Sequence, residues 1–146
     1  MRIFLLEDDW SQSEWIENTL RARFPNATII VKRTEQEFRN YLSKLDEPCP
    51  DVFLLDVMVP WTKSSEDMPT PPDDVRDDGS FRSGIRCLEL LNAETRMAKS
   101  HKILYTILER SDLQSEVSRL EEKGINVLHV RKDDDATELF DRVSGA

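Results

Sequence analysis

Glu7 and Asp8 follow directly on the apolar run Arg2 to Leu6, and Asp56 closes a second apolar run, DVFLLD at Asp51 to Asp56. If the two runs are neighbouring strands, three carboxylates meet at one edge. Two unit charges 4 Å apart at an effective dielectric near 20 repel by about 4 kcal/mol. Such a cluster takes up protons or holds a cation. Hard oxygen ligands with room for water suit Mg2+, which takes one or two carboxylates plus phosphate oxygens of a substrate. Thr106 places a hydroxyl inside the apolar run ILYTIL, and Lys132 follows the next one. A metal, a hydroxyl and an ammonium around one carboxylate make a phosphoryl-transfer site, where the protein positions groups and neutralises charge. The carboxylate at its centre, Asp56, is then a candidate nucleophile that forms an aspartyl phosphate.

The elements that must position these residues are legible as an alternation. Strands are expected at Arg2 to Leu6, Ala27 to Lys32, Asp51 to Asp56, His101 to Leu108 and Ile125 to Val130, each short and apolar or β-branched. Helices are expected between them. Ser11-x-x-Glu14, Thr34-x-x-Glu37 and Ser111-x-x-Gln114 have the spacing of helix-start signals. A further helix begins near Ser83-Gly84 and runs towards Ala98, Gly124 stops the one before the fifth strand, and the last spans Ala136 to Val143. Strands that are apolar throughout, alternating with helices, predict an α/β, doubly wound, five-stranded parallel sheet covered on both faces. Ligands of such sheets bind beyond the carboxyl ends of the strands, where strand order reverses. In the order 2-1-3-4-5, strands one and three are neighbours and the acids converge there.

One stretch breaks the alternation. Between Pro60 and Ser83, 24 residues hold four of the chain's seven prolines and six acids. Strands lie on both sides, so it reads as an insertion at about 60–83 in a single domain spanning 1–146, and its composition predicts a solvated loop.

Composition narrows the function classes. The 146 residues suit one core, and 20 basic against 29 acidic residues give a formal net charge of -9. Nucleic-acid affinity comes largely from Lys and Arg neutralising phosphates, so neither DNA nor RNA is an expected partner. No run of about 20 apolar residues offers a membrane span, and no charged-then-apolar leader opens the chain, which predicts a cytoplasmic protein with no membrane partner. Cys49 and Cys87 have no ligand-pair spacing and are expected as reduced thiols.

With these residues in place, the chain resembles a response-regulator receiver domain, the phosphoacceptor module of two-component signalling with a flavodoxin-like (βα)5 fold. IFLLEDD resembles the family's first strand with its acid pair, and DVFLLDVMVP its phosphorylation segment. The resemblance covers nearly the whole chain except the insertion. It implies that Asp56 accepts the phosphoryl group, that Asp8, Asp56 and the backbone carbonyl of Met58 bind Mg2+, and that Glu7 holds a metal-bound water. It makes Thr106 the switch hydroxyl and Lys132 the family's lysine, although counting from Gly124 puts Arg131 there. The switch aromatic of strand five falls at His129, or at Leu128 on the other count. Ile107 stands where the family has a small residue, and Asp133 where proline is commoner.

The resemblance further implies a sensor histidine kinase or a histidine phosphotransfer protein as donor, and a downstream protein as target. A receiver of this kind catalyses its own phosphoryl transfer to Asp56 and slow autodephosphorylation without being a classical enzyme. An alternative is a pseudo-receiver that binds partners without phosphorylation. A phosphatase with an aspartyl nucleophile is a third reading, and Met58 stands where such enzymes carry a second Asp.

Overall fold

The structure is a computed structural model that describes residues 1–45, 48–64, 67–133 and 135–146. Its strands β1 (Arg2–Leu6), β2 (Thr28–Lys32), β3 (Val52–Leu55), β4 (His101–Thr106) and β5 (Leu128–Arg131) form one parallel sheet in the order β2-β1-β3-β4-β5. Side chains alternate between its faces. Phe4, Leu6, Phe53 and Leu55 enter one core layer, and Ile3, Leu5, Val52 and Leu54 the other. Both faces need a cover, which is why these strands read as unbroken apolar runs. Helices α1 (Trp10–Arg23) and α6 (Thr137–Ser144) cover the second face; α2 (Glu35–Ser43), α4 (Ser83–Ala93) and α5 (Gln114–Glu122) cover the first. The doubly wound fold expected from the sequence is the fold observed.

Helix starts differ in detail. Asp9, and not Ser11, caps α1 by accepting the Gln12 N–H at 2.8 Å. Thr34 caps α2 through the Glu37 N–H at 3.1 Å, while the Glu37 carboxylate returns to the Arg33 N–H at 2.7 Å. Ser111 lies inside a 3-10 turn, Arg110–Leu113, which Glu109 and Asp112 cap, so α5 begins only at Gln114. Helix α4 ends at Ala93, short of Ala98, and a separate 3-10 turn buries Met97. Gly124 stops α5 with φ +79, and the Ile125 N–H still bonds Leu120 O at 3.0 Å. That bond commits Ile125 to the helix end, so β5 starts three residues later than expected.

The insertion corrects the largest expectation. Residues 65 and 66 of it lie outside the described residues, but the rest carries α3 (Asp73–Asp78) and a 3-10 turn at Ser80–Arg82. Asp73 and Asp74 sit at the helix start, where the backbone dipole favours negative charge, and Gly79 ends it with φ +75. Val75 is buried, and Arg39 holds Asp74 at 2.7 Å. Proline-rich composition signalled a loop; an apolar anchor and a guanidinium on α2 supply the order that composition does not reveal. Among the described residues, no helix is long and apolar enough to cross a membrane.

Candidate functional site

Parallel pairing of β1 with β3 sets Leu6 beside Leu55. The ladder runs one residue further, with the Asp56 N–H on Leu6 O and the Glu7 N–H on Lys32 O, each at 3.0 Å. Two acids on adjacent strands are thereby fixed side by side by backbone bonds. Carboxylate oxygens of Glu7, Asp8 and Asp56 all lie within 4.8 Å of one another. Glu7 is 1% and Asp56 9% exposed, while Asp8 stands at the surface.

Among the described residues, one cation faces the three acids. The Lys132 N–H bonds Thr106 O at 2.8 Å, extending the β4–β5 ladder and turning the side chain inward. Its ammonium donates to Asp56 Oδ2 at 2.7 Å and to Glu7 Oε2. Asp56 Oδ1 is buried, and no donor among the described residues reaches it. Loss of water raises the Glu7 pKa above the ordinary carboxylate range; the Lys132 ammonium opposes the rise and the charge of Asp56 adds to it. Asp8 is raised as well, first by lost hydration and then by Asp56. The cluster is thus under-neutralised, with one orphaned oxygen at its centre. That donor set fits a hard divalent cation.

The loop after Asp56 is pinned on both sides. The Gly84 N–H bonds Val57 O at 3.0 Å, the Ser83 hydroxyl bonds Val59 O at 2.5 Å, and the Glu35 N–H bonds Pro60 O at 3.0 Å. Among the described residues, none donates to the carbonyl of Met58 between them. Gly84 has to be glycine, because a Cβ there would stand 2.2 Å from the carbonyl oxygen of Asp56. The side chains that converge closely enough to hold a cation are those of Glu7, Asp8 and Asp56.

Thr106 is fully buried at the end of β4, and its Oγ1 accepts the Leu108 N–H at 3.4 Å. His129 Nε2 lies 3.0 Å from Leu108 O, so the two candidate switch residues meet through one backbone unit. Leu128 turns into the opposite core layer. Arg131 also turns away from the acids, to Glu109 at the surface, which leaves Lys132 as the cation that reaches them. Ile107 is 62% exposed and lines a cleft of about 310 Å³ with Ser11, Gln12, Trp15, Lys132 and Asp133. Trp10 is exposed beneath the Arg33 guanidinium, 3.5 Å from its ring centroid.

No protein-family model matches the chain, and no curated protein matches its sequence. Solved structures do match its backbone. The signal receiver domain of a DNA-binding response regulator from Colwellia psychrerythraea superposes with a TM-score of 0.68 at 19% identity, over 99% of this chain and 96% of that one. The phosphorylated cyanobacterial phytochrome response regulator RcpA gives 0.66 at 18% identity, over 99% and 89%. The Mn2+-bound form of the response regulator Rcp1 gives 0.64 at 17%, over the same shares. The chain has the receiver fold of response regulators. On this receiver fold, Glu7, Asp8, Asp56, Thr106 and Lys132 lie at the carboxyl end of the sheet.

The contacts of Ser83 and Glu35 escaped sequence reasoning. Ser83 read only as a helix start, and Glu35 was not singled out. Glu35 is in fact fully buried. The readable signal was Gly84 beside Ser83, a glycine inside a helix start with no turn to explain it.

Proposed function

We propose that the chain is a phosphoacceptor receiver of a two-component phosphorelay, phosphorylated on Asp56 with Mg2+ and signalling by protein–protein contact. The observation that carries this reading is the three-acid cluster around a buried carboxylate, with one oxygen held by Lys132 and the other without a partner among the described residues. An Asp56 oxygen attacks the phosphorus of a phosphohistidine on a sensor kinase or phosphotransfer protein. An O–P bond forms, the N–P bond breaks, and the ring, protonated on its other nitrogen before transfer, leaves as neutral imidazole. Asp8, Asp56 and Met58 O would hold Mg2+, with Glu7 beside them, and the ion would supply charge neutralisation for the phosphoryl oxygens. Lys132 stays on the acceptor carboxylate and balances the negative charge that phosphorylation adds. Thr106 donates its hydroxyl to a phosphoryl oxygen, which takes that oxygen from the Leu108 N–H and passes the change to His129 through Leu108 O.

Incubation with phosphoramidate or acetyl phosphate and Mg2+, followed by intact mass, tests the proposal. The expected result is one added phosphoryl group on the wild type, none without Mg2+ and none on Asp56→Asn. Labelling that survives Asp56→Asn overturns it. No labelling of the wild type leaves the pseudo-receiver reading, which one observation favours: the Lys132 ammonium is paired with both Glu7 and Asp56.

A further inference from the structure

Behind the acid cluster, on the far side of the loop 56–61, lies a second group of charges that the proposed chemistry does not use. Glu35 is fully buried, and Arg86 is 7% exposed. The Arg86 guanidinium donates to Glu35 Oε1 at 2.6 Å and to Oε2 at 3.1 Å. Its remaining N–H groups go to Ser83 Oγ at 3.2 Å and to Gly79 O in the insertion at 2.8 Å.

Two short paths lead from this pair to the loop. Arg86 bonds Ser83, whose hydroxyl bonds Val59 O; Glu35 bonds Pro60 O through its own backbone N–H. Both contacts fall within two residues of the Met58 carbonyl. We infer that the buried Glu35–Arg86 pair, acting through Ser83, is a positioning device that holds the loop 56–61 in the register needed for Met58 O to join Asp8 and Asp56 on a divalent cation. Arg86 reaches the insertion with the same guanidinium, so α3 and Gly79 brace the far side of the device. A guanidinium suits this role because its donors point in fixed directions towards several acceptors at once.

The inference rests on the metal reading proposed above, and its test keeps the two apart. Mn2+ is titrated into the full chain, with binding followed by water-proton relaxation and stability by metal-free thermal melts. Supporting partners of metal ligands typically change affinity about 10- to 100-fold when mutated. Ser83→Ala and Glu35→Gln are expected to weaken Mn2+ binding about tenfold. Val143→Ala, a buried truncation in the opposite core layer, is expected to lower the melting temperature and leave Mn2+ affinity at the wild-type value. Should Glu35→Gln fail to fold, Ser83→Ala decides alone, since it leaves the ion pair in place. Wild-type affinity in both variants overturns the inference while sparing the metal reading, and equal weakening in Val143→Ala also overturns it. A wild-type chain that binds no Mn2+ sinks the metal reading itself and this inference with it.

Discussion

Two clusters of charge flank the loop after β3, and they solve the same electrostatic problem in opposite ways. Around Asp56, three acids share one ammonium, and a buried oxygen has no partner among the described residues. Around Glu35, one carboxylate takes two guanidiniums, from Arg86 and from Arg39 at 2.7 Å, and Arg39 reaches on to Asp74. A buried charge is tolerable when it is paired and hydrogen-bonded. The Glu35 cluster meets that condition from within the chain and is closed. The Asp56 cluster falls short of it, and that shortfall is what gives a cation or a phosphoryl group something to gain by binding.

The contrast breaks most sharply at the acceptor. Asp56→Asn removes the nucleophile, and complete loss of phosphoryl labelling by intact mass is the expected outcome. A smaller but still large effect belongs to the closed cluster. Arg86→Met takes one of two guanidiniums from the buried Glu35 and leaves Arg39 as its partner, so the loss falls toward the lower end of the range of about 3–5 kcal/mol that breaking a buried pair costs, read from urea melts. Replacing Glu35 and Arg86 together, as Glu35→Met with Arg86→Met, should recover most of that loss, because Arg39 still has Asp74 as its partner. If the double variant is as unstable as the single one, the pair contributes through geometry rather than through charge balance.

The same contrast explains what the sequence revealed. Glu7, Asp8, Asp56, Thr106 and Lys132 each sit at the end of an apolar strand, so a one-dimensional pattern marks them and parallel topology brings them together. The strand order follows from the same pattern. Glu35 and Arg86 are 51 residues apart, on the faces of two helices, and meet only once α2 and α4 pack side by side. No local signal encodes that meeting. The insertion fails for a related reason: Asp74 and Gly79 are ordered by Arg39 and Arg86, whose reach depends on tertiary packing and not on the stretch's own prolines.

Lys132 sharpens the comparison next. Lys132→Ala takes away the only cation that reaches Asp56 among the described residues. Removing one donor aimed at developing charge slows catalysis by about 10²–10³-fold, so labelling by phosphoramidate should slow by about two orders of magnitude. Arg131→Ala, one residue earlier, should leave the rate unchanged, since its side chain pairs with surface Glu109. A rate that falls with Arg131 and not with Lys132 would reverse the assignment of the lysine position.

The smallest expected effect is in the pH dependence of stability, and its sign differs between the two clusters. Glu7 and Asp8 have folded pKa values raised above 4.5 and 3.8 by lost hydration. Between the unfolded and the raised folded values the native chain binds more protons than the unfolded chain, so stability falls as pH rises through that window. Asp74 behaves oppositely: the Arg39 hydrogen bond holds it below 3.8, and its contribution is present above that value and lost as pH falls through the folded one. The windows do not overlap. Calorimetric melts of the metal-free chain should therefore show stability declining with rising pH above about 4.5, the reference value for Glu7. Saturating Mg2+ should flatten or reverse that decline, because the ion competes with the same protons. Asp8→Asn should shrink both effects, whereas Asp74→Asn should alter only the limb below 3.8, the reference value of Asp74. An unchanged Mg2+ response in Asp8→Asn would mean that the ion stabilises the fold from somewhere other than the three-acid cluster.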